Sequence, residues 1–238
     1  VKGRRPYMED EHRVIPRMEA LEGASTGTGG GGGTTQLFAV FDGHAGARCS
    51  KAVSQSLGPC VAREPDFGPD LAAAAVKGCV KANAEWMRRA ERYNMCDGST
   101  GIMAFLRGRR LVVANVGDSR AVLCGAGNKA IPMSRDHKPN RPEERRRIAA
   151  AGGHVTVSMG VHRVNGVLAV SRAFGDKNLR QTIRPDAEIK EKDLDETDSF
   201  LILGSDGLWD MIANQEACNI VARALPNLGP QGCAEMLT

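Results

Sequence analysis

The stretch Leu37-Phe38-Ala39-Val40-Phe41-Asp42-Gly43-His44 carries the strongest structural signal in the chain. Its apolar half is too short for a helix and rich in strand formers, and its polar half places an acidic residue beside glycine. Two later runs are built the same way: residues 111–116 lead into Gly117-Asp118, and residues 200–203 lead into Gly204-Ser205-Asp206. These continuous apolar runs predict three strands covered on both faces, each ending in a carboxylate.

Weaker patterns place further elements around these strands. Residues 101–106, 121–123 and 167–170 are also strand-like. Capping residues and apolar spacings of three or four predict helices over residues 46–57, 70–90, 142–151 and 214–225, with Asp70 as an N-cap. This order does not alternate strand and helix as a doubly wound parallel sheet would. The sequence therefore favours an α+β fold in which antiparallel sheets are flanked by helices.

Length and composition exclude several classes of protein. With 238 residues, 42% of them hydrophobic, the chain can bury a core without disulfides or metals to hold it together. Its 32 basic and 28 acidic residues are interspersed, which does not suit a nucleic-acid-binding protein. The densest basic cluster, Arg145-Arg146-Arg147, follows Glu143-Glu144 and predicts a solvated helix face. No apolar run approaches the roughly 20 residues of a membrane span.

The cysteines bear on the cellular compartment of the protein, and the first residue bears on the extent of the domain. The seven cysteines include no Cys-x-x-Cys pair, so we expect an intracellular, cytoplasmic or nuclear protein. For Cys96 we favour a buried, inert thiol over an exposed, redox-sensitive one. Because the chain opens at Val1 rather than at Met, we expect one domain over residues 1–238 that is cut short at both ends. The Gly-rich residues 27–35 predict a flexible hairpin or crossover loop; a phosphate cradle is less favoured because a strand follows.

The acidic residues at the strand ends suggest metal chemistry. A carboxylate at the end of a buried strand is costly to desolvate unless it is paired or bound to a cation. Carboxylates that converge with a glycine carbonyl form an oxygen-ligand site suited to Mg²⁺ or Mn²⁺, and Met8-Glu9-Asp10 supplies further carboxylates. The alternative is that each Asp-Gly pair only marks a turn. Three such strand ends favour the metal site.

Motifs spread along most of the chain resemble those of the PP2C-type, or PPM-family, metal-dependent protein phosphatases. The matching segments are found in the same order as in that family. They are Arg5-Pro6-Tyr7-Met8-Glu9-Asp10, residues 38–46, Asp97-Gly98-Ser99-Thr100, residues 114–121, Asp136-His137-Lys138-Pro139, residues 163–176, and Ser205-Asp206-Gly207-Leu208-Trp209-Asp210. Seven ordered motifs from Arg5 to Asp210 are hard to obtain by chance.

The resemblance implies a fold, a reaction and a set of metal ligands. The fold would be a four-layer α-β-β-α sandwich, and the reaction the hydrolysis of phosphoserine and phosphothreonine in proteins by a water that bridges two divalent ions about 4 Å apart. By the family pattern, Asp42 would bridge the two Mg²⁺ or Mn²⁺ ions. Glu9 and the Gly43 carbonyl would serve one ion and Asp206 the other, while Asp136, with Asp206, would bind a third, more labile ion.

Two more residues receive catalytic roles from the same resemblance. Arg5 would bind the phosphate oxygens through its planar guanidinium, and His44 would donate a proton to the departing Ser or Thr oxygen. Each has a structural alternative, since Arg5 can pair with Glu9 or Asp10 and His44 can cap a helix. For Asp118 we favour a structural role bracing the loop.

Other acidic and basic groups leave alternatives open. Asp176 and Asp210 can serve either the structure or the site, and the basic residues of the segment 176–188 either steer an acidic peptide or form a solvated loop. We expect phosphoprotein substrates, no membrane or nucleic-acid partner, and a monomer. An aspartyl-nucleophile mechanism is not favoured, because it expects an Asp at the position of His44.

The chain departs from the family pattern in one respect. That pattern closes with another Asp on a later strand, and no such residue follows Asp210. Two interpretations follow. Either the sequence is a fragment of a working phosphatase, which the start at Val1 favours, or it is a catalytically silent phosphatase-like binding module.

Overall fold

The structure is a computed structural model that describes residues 7–25 and 33–237. Across those residues the chain forms thirteen strands: β1 (Glu11–Ile15), β2 (Thr35–Phe41), β3 (Gly43–His44), β4 (Gly98–Ser99), β5 (Gly101–Arg107), β6 (Arg110–Val116), β7 (Arg120–Cys124), β8 (Ala130–Pro132), β9 (Val155–Ser158), β10 (Val161–Val164), β11 (Phe174–Gly175), β12 (Glu188–Asp193) and β13 (Phe200–Gly204). The same residues form five α-helices: α1 (Arg48–Ala62), α2 (Leu71–Arg92), α3 (Pro142–Ala150), α4 (Asp206–Trp209) and α5 (Asn214–Met236).

Two antiparallel sheets pack face to face, in the strand orders β1-β2-β5-β6-β12 and β13-β7-β8. Because side chains alternate along a strand, β5 and β6 contribute to two cores. Between the sheets their side chains meet those of β7: Ile102, Ala104, Leu111, Val113, Ala121 and Leu123. On the opposite face they meet α1 and α2: Met103, Phe105, Val112 and Ala114 against Val53, Leu57, Ala75 and Trp86.

The outer face of the smaller sheet is covered by α5. Val122 and Ile202 of that sheet pack against Ala217, Cys218 and Val221 of the helix. The layers therefore run helix, sheet, sheet, helix, which confirms the α+β sandwich expected from the sequence. Beside it lie a three-stranded sheet of two-residue strands, β11-β4-β3, and the hairpin β9–β10.

The helices lie where the sequence patterns predict them, although α1 and α5 are longer than predicted. The Asp70 side chain caps α2 by accepting from the Ala73 N–H at 2.9 Å, as predicted, and the apolar stripe from Leu71 to Ala90 is buried. Trp86 and Trp209 are both buried core residues. The prediction for α1 ended five residues too early, because Cys60 and Val61 continue the buried stripe beyond Leu57.

Several predicted strands differ in detail. Residues 167–170 are not a strand, because Asn165 and Gly166, with φ of 50° and 74°, form a tight turn that leaves one bridge between Val164 and Leu168. Of the three apolar runs, residues 111–116 are buried throughout, whereas Phe38 is 36% exposed. Helix α5 is longer than predicted, and its helical backbone is interrupted at Gly229, where φ is 64°.

The acidic and basic run on α3 is only partly solvated. Arg145 and Arg146 are exposed, but Glu144 is buried and accepts hydrogen bonds from Arg172 at 2.6 Å, Arg147 at 2.9 Å and Ser171 at 2.8 Å. Burial by itself would raise the pKa of Glu144. The hydrogen bonds from Arg172 and Ser171 and the arginine charges outweigh burial and lower that pKa to about 2. We call Glu144, Arg147, Ser171 and Arg172 the Glu144 cluster.

The exposure of the cysteines differs from the prediction at one position. All seven cysteines are free and six are buried, but Cys96 is exposed, so the expectation that it is buried was wrong. It lies in the loop after α2, where its Sγ accepts a hydrogen bond from Asn178 at 3.3 Å.

Among residues 7–25 and 33–237 we find no helix whose length and apolar content match those of a transmembrane span.

Candidate active site

Four acidic side chains gather at one end of the sandwich. Glu11 of β1 pairs with Phe41 of β2, so the antiparallel register brings Asp10 next to Asp42. Asp118 lies two positions after the end of β6, and Asp206, two positions after the end of β13, begins α4. We call Asp10, Asp42, Asp118 and Asp206 the carboxylate group.

The pKa of Asp42 is raised by its burial and by the neighbouring acidic side chains. Burial raises the pKa of Asp42 to about 8, and the charges of Asp10, Asp206 and Asp118 act in the same direction. A side-chain hydrogen bond also joins Asp42 to Asp10. Such a carboxyl group keeps its proton near pH 7 unless a cation offsets the repulsion. The group therefore carries an uncompensated negative charge.

The chemistry of these donors fits a hard divalent cation. Mg²⁺ and Mn²⁺ prefer carboxylate and carbonyl oxygens, and the carboxylate group offers the first kind of donor while Gly43 offers the second. Within the part of the chain that the structure describes, no group of three or more His, Cys, Asp or Glu side chains is already arranged to hold an ion. The residues fit a metal by their donor type and excess charge, and their ligand set is not preformed.

Gly43 lies where no side chain has room. A Cβ atom at this position would stand 2.4 Å from the Glu9 carbonyl oxygen and 2.8 Å from Ser50 Oγ. Ser50, in the first turn of α1, donates to that same Glu9 carbonyl at 2.6 Å. The glycine thus lets the segment before β1 pack directly against the turn after β2, which ties Glu9 to the turn that carries Asp42 and His44.

Asp10 is the member of the carboxylate group that the predicted ligand set omits. The family resemblance gives a ligand role to Glu9, which stays a prediction. The carboxyl group hydrogen-bonded to Asp42 is that of Asp10, which also accepts from Ser205 Oγ at 3.1 Å. Glu9 is half-buried, and its charge acts on His44. The pairing register of β1 with β2 is the signal that would have pointed to Asp10.

Asp118 is held by a lysine at the edge of the group. Lys138 Nζ lies 2.5 Å from Asp118 Oδ2. Burial raises the pKa of Asp118, although the ammonium of Lys138 opposes the shift. The sequence favours a bracing role for Asp118, and the structure also places its charge near enough to act on Asp42.

Buried His137 anchors the loops that carry Asp118 and Asp136. Its Nδ1 accepts from the Gly117 N–H at 3.1 Å, and its Nε2 lies 3.3 Å from Glu188 Oε2. Burial lowers the pKa of His137, so the neutral ring with a proton on Nε2 fits both contacts. His137 belongs to the motif Asp136-His137-Lys138-Pro139, for which the sequence predicts no role of the histidine.

Asp136 forms an ion pair with Arg120, and its charge also acts on Asp118 of the carboxylate group. Arg120 Nε and Nη2 donate to its two carboxylate oxygens at 3.0 and 2.8 Å. The same guanidinium reaches Asn214 Oδ1 at 2.7 Å and lies 5.4 Å above the Trp209 ring. Asp136, predicted as a ligand of the third ion, therefore has both oxygens engaged by Arg120, and its ligand role stays a prediction.

His44 makes its side-chain contact with Asp176. The ring Nε2 lies 2.8 Å from Asp176 Oδ2 and 3.0 Å from Oδ1. Burial works to lower the pKa of His44, but the hydrogen bond and charge of Asp176 dominate the opposing effects, and the pKa is raised above its ordinary value. The structure thus brings together His44 and a residue whose role the sequence leaves open.

The remaining predicted residues lie elsewhere. Arg5 and most of the Gly-rich residues 27–35 fall outside the described residues. The three basic side chains of the segment 176–188 are paired within the chain: Lys177 with Asn94, Arg180 with Glu91 and Arg184 with Asp186. These pairs favour a structural role for that segment over the steering of an acidic peptide.

Comparison with known proteins gives a family match over most of the chain. A family model described as protein phosphatase 2C matches residues 1–237. A probable protein phosphatase 2C 59 from Arabidopsis thaliana is 46% identical over 219 residues, which cover 92% of this chain and 66% of the relative. The protein of the same name from Oryza sativa subsp. japonica is 44% identical over 99% of this chain and 67% of its own length. The chain thus spans about two thirds of the length of these two relatives.

Solved structures have the same fold. A serine-threonine phosphatase 2C from Toxoplasma gondii superimposes with a TM-score of 0.85 at 23% identity, covering 98% of this chain and 84% of that one. A sex determining protein from C. elegans superimposes with a TM-score of 0.86 at 26% identity, covering 100% of this chain and 57% of that one.

Proposed function

The chain belongs to the protein phosphatase 2C family, and from this premise we propose that it hydrolyses phosphoserine and phosphothreonine in proteins, with Mg²⁺ or Mn²⁺ as cofactor. The observation that carries the proposal is the carboxylate group, in which burial, together with the like charges of Asp10, Asp206 and Asp118, raises the pKa of Asp42 to about 8. Partly or fully buried acidic residues that converge in this way destabilise a protein unless their charges are offset, and a divalent cation is the partner that their chemistry suits.

The metal ligands are proposed from the family pattern and adjusted to the geometry. Asp42, Asp206, Glu9 and the Gly43 carbonyl would hold two ions, and Asp136 a third. We add Asp10, because its carboxyl group is hydrogen-bonded to Asp42. Bound metal would neutralise the carboxylates and make the attacking water more acidic.

The chain's own residues then have three tasks. Asp42 and its neighbours hold the cofactor at one end of the sandwich. Arg5 binds the phosphate oxygens of the substrate, and His44 donates a proton to the departing seryl or threonyl oxygen. Water attacks phosphorus directly in this proposal, so no phosphoenzyme forms.

The proposal is tested by measuring phosphate release from a phosphothreonine peptide with Mn²⁺, with Mg²⁺ and with a chelator. We expect activity only with metal. Asp42→Asn should lower the rate at least about a hundredfold, since even indirect support of a metal ligand is worth that much. The matched control is Asp193→Asn on β12, whose side chain is 79% exposed, and it should keep the parental rate.

Two outcomes would count against the proposal. A rate that survives in Asp42→Asn would remove the proposed site. Binding of the phosphopeptide without any phosphate release, with metal present, would instead support the catalytically silent binding module that sequence analysis leaves open.

We also propose an intracellular location. Its support is the state of the cysteines, all seven of which are free although six are buried in the core. Free thiols in this number suit a reducing compartment. Retention of activity after prolonged exposure to an oxidising glutathione buffer would weaken this part of the proposal.

A further inference from the structure

The contact between His44 and Asp176 joins residues that are 132 positions apart in the chain. Both oxygens of the carboxylate lie within hydrogen-bond distance of the same ring nitrogen, Nε2. Asp176 is 7% exposed, while the His44 side chain keeps 26% of its surface accessible. The histidine is thus held from its buried side and open on another.

Three very short strands bring the two residues together. β4 lies between β3, which contains His44, and β11, which ends at Gly175 immediately before Asp176. Gly98 of β4 pairs with His44 on one side and with Gly175 on the other. A Cβ atom on Gly98 would stand 2.2 Å from His44 Nε2 and 2.3 Å from Asp176 Oδ2, so a glycine is required for the contact to form.

The backbone of Asp176 is fixed independently of its side chain. Its φ of 50° lies in the left-handed region, its N–H donates to the Asp97 carbonyl at 3.3 Å, and its carbonyl accepts from the Leu179 N–H at 2.7 Å. The side chain has no hydrogen-bond partner other than His44 among the described residues. The fold therefore aims this carboxylate at one ring nitrogen.

The contact determines where the ring proton resides. A carboxylate is an acceptor, so Nε2 must carry hydrogen, and the other ring nitrogen, Nδ1, is left to exchange a proton. No residue in the described part of the chain lies within hydrogen-bond distance of Nδ1. We propose that Asp176 is a positioning residue that holds His44 with Nε2 protonated, so that the proton given to the leaving oxygen comes from Nδ1.

This inference rests on the proposed function and specifies one of its steps. The step begins with both ring nitrogens of His44 protonated. Water adds to phosphorus and its two hydrogens stay with the inorganic phosphate that forms, while the bond from phosphorus to the seryl or threonyl oxygen breaks. The Nδ1 proton passes to that oxygen, and the ring is left neutral, with its Nε2–H still donated to Asp176. The Asp176 carboxylate touches neither substrate nor cofactor and acts through His44 alone.

The first test compares two substrates that differ in how much their leaving group needs a proton. Asp176→Asn is the suitable variant, because Asn has nearly the shape of Asp and tolerates a left-handed backbone. Turnover of a phosphothreonine peptide should fall about 10²- to 10⁴-fold, the usual contribution of a general acid. Turnover of p-nitrophenyl phosphate, whose phenolate leaves without protonation, should change less than about threefold.

Two further variants separate positioning from general damage. Asn178→Ala alters the same turn but removes a hydrogen bond to Cys96 instead, so it should keep both rates. His44→Ala should reproduce the substrate pattern of Asp176→Asn, and combining the two should cause no further loss, since residues that act as a unit are not additive. Equal losses on both substrates, or additive losses in the double variant, would overturn the inference.

A second measurement needs neither metal nor turnover. Nitrogen-15 NMR of the histidine rings in the metal-free protein should find neutral His44 protonated at Nε2, and Asp176→Asn should shift its tautomer balance. A ring protonated at Nδ1 in the parent protein would overturn the inference. If the parent protein released no phosphate from either substrate, the proposed function would fail while this measurement would still decide the role of Asp176.

Discussion

Two regions of the protein partly or fully remove carboxyl groups from solvent, and their surroundings shift the carboxyl pKa in opposite directions. In the Glu144 cluster two arginines and a serine surround one glutamate, and the pKa of Glu144 falls to about 2. In the carboxylate group burial and three like charges raise the pKa of Asp42 to about 8. One region is electrostatically complete without any addition, whereas the other is complete only with a cation. The difference distinguishes a structural ion cluster from the group of acidic side chains that we propose to bind a divalent cation.

The largest expected effect comes from removing the charge of the complete region. Glu144→Gln leaves Arg147 and Arg172 without their anion, and breaking a buried ion pair in this way costs about 3 to 5 kcal/mol of unfolding free energy. Urea denaturation followed by circular dichroism measures it. Glu143→Gln, at the adjacent and more exposed position, is the matched control and should cost much less. Equal losses at both positions would erase the distinction between the regions.

The next effect is the pH dependence of the same cluster. The pKa of Glu144 is lower in the folded protein than in the unfolded chain, so its contribution to stability is full above the unfolded value of about 4.5 and is lost as the pH falls toward 2. A shift of this size corresponds to up to about 3 kcal/mol. Stability curves between pH 6 and about pH 2.5 should therefore be flatter in Glu144→Gln than in the parent protein. Parallel curves would contradict the assignment.

The carboxylate group should respond to metal rather than to acid. Mn²⁺ at a hundred times its dissociation constant should raise the unfolding free energy by about 2.7 kcal/mol, because it binds the folded protein. Differential scanning calorimetry at increasing Mn²⁺ measures the shift in Tm. Asp42→Asn should abolish most of the shift, whereas Glu144→Gln should retain it from a lower starting Tm. A shift that survives in Asp42→Asn would place the ion elsewhere.

The smallest effect has the opposite sign from the first. Asp42→Asn removes one of four mutually repelling carboxyl groups, so the metal-free variant should be more stable than the parent by about 1 kcal/mol, as is common when a functional site is neutralised. Urea denaturation in a chelator measures the difference. A destabilised variant would mean that the carboxylate group is internally compensated in the way the Glu144 cluster is.

The helix and sheet layers could be predicted from the sequence because each strand and helix is indicated by a short run of neighbouring residues. The runs near Phe41, Val116 and Leu203 end in acidic turns, and the cap at Asp70 lies next to the helix that it begins. Such signals lie within a few residues of the element that they specify. The order of the motifs then pointed to a family whose model matches the chain.

The contacts between distant residues were harder to predict. Arg172 and Glu144 are 28 positions apart, and Arg120 and Asp136 are 16 apart, so neither pair follows from helical or strand periodicity. The expected solvated face on α3 is therefore found at Arg145 and Arg146 but not at Arg147, which pairs with buried Glu144. The ligand role of Glu9 came from the family resemblance and stays a prediction. The position of Asp10 beside Asp42 follows from the pairing of β1 with β2, which the sequence alone does not give.

The exposure of Cys96 offers a practical consequence. All seven cysteines lie in the described residues, and Cys96 is the one that is not buried, so a thiol-reactive dye should attach to the native protein at a single position without cysteine-free engineering. That position is next to Asp97, whose carbonyl accepts the Asp176 N–H, and its sulfur contacts Asn178 on the turn that follows. A fluorophore there would give an optical readout of the turn that aims Asp176 at His44.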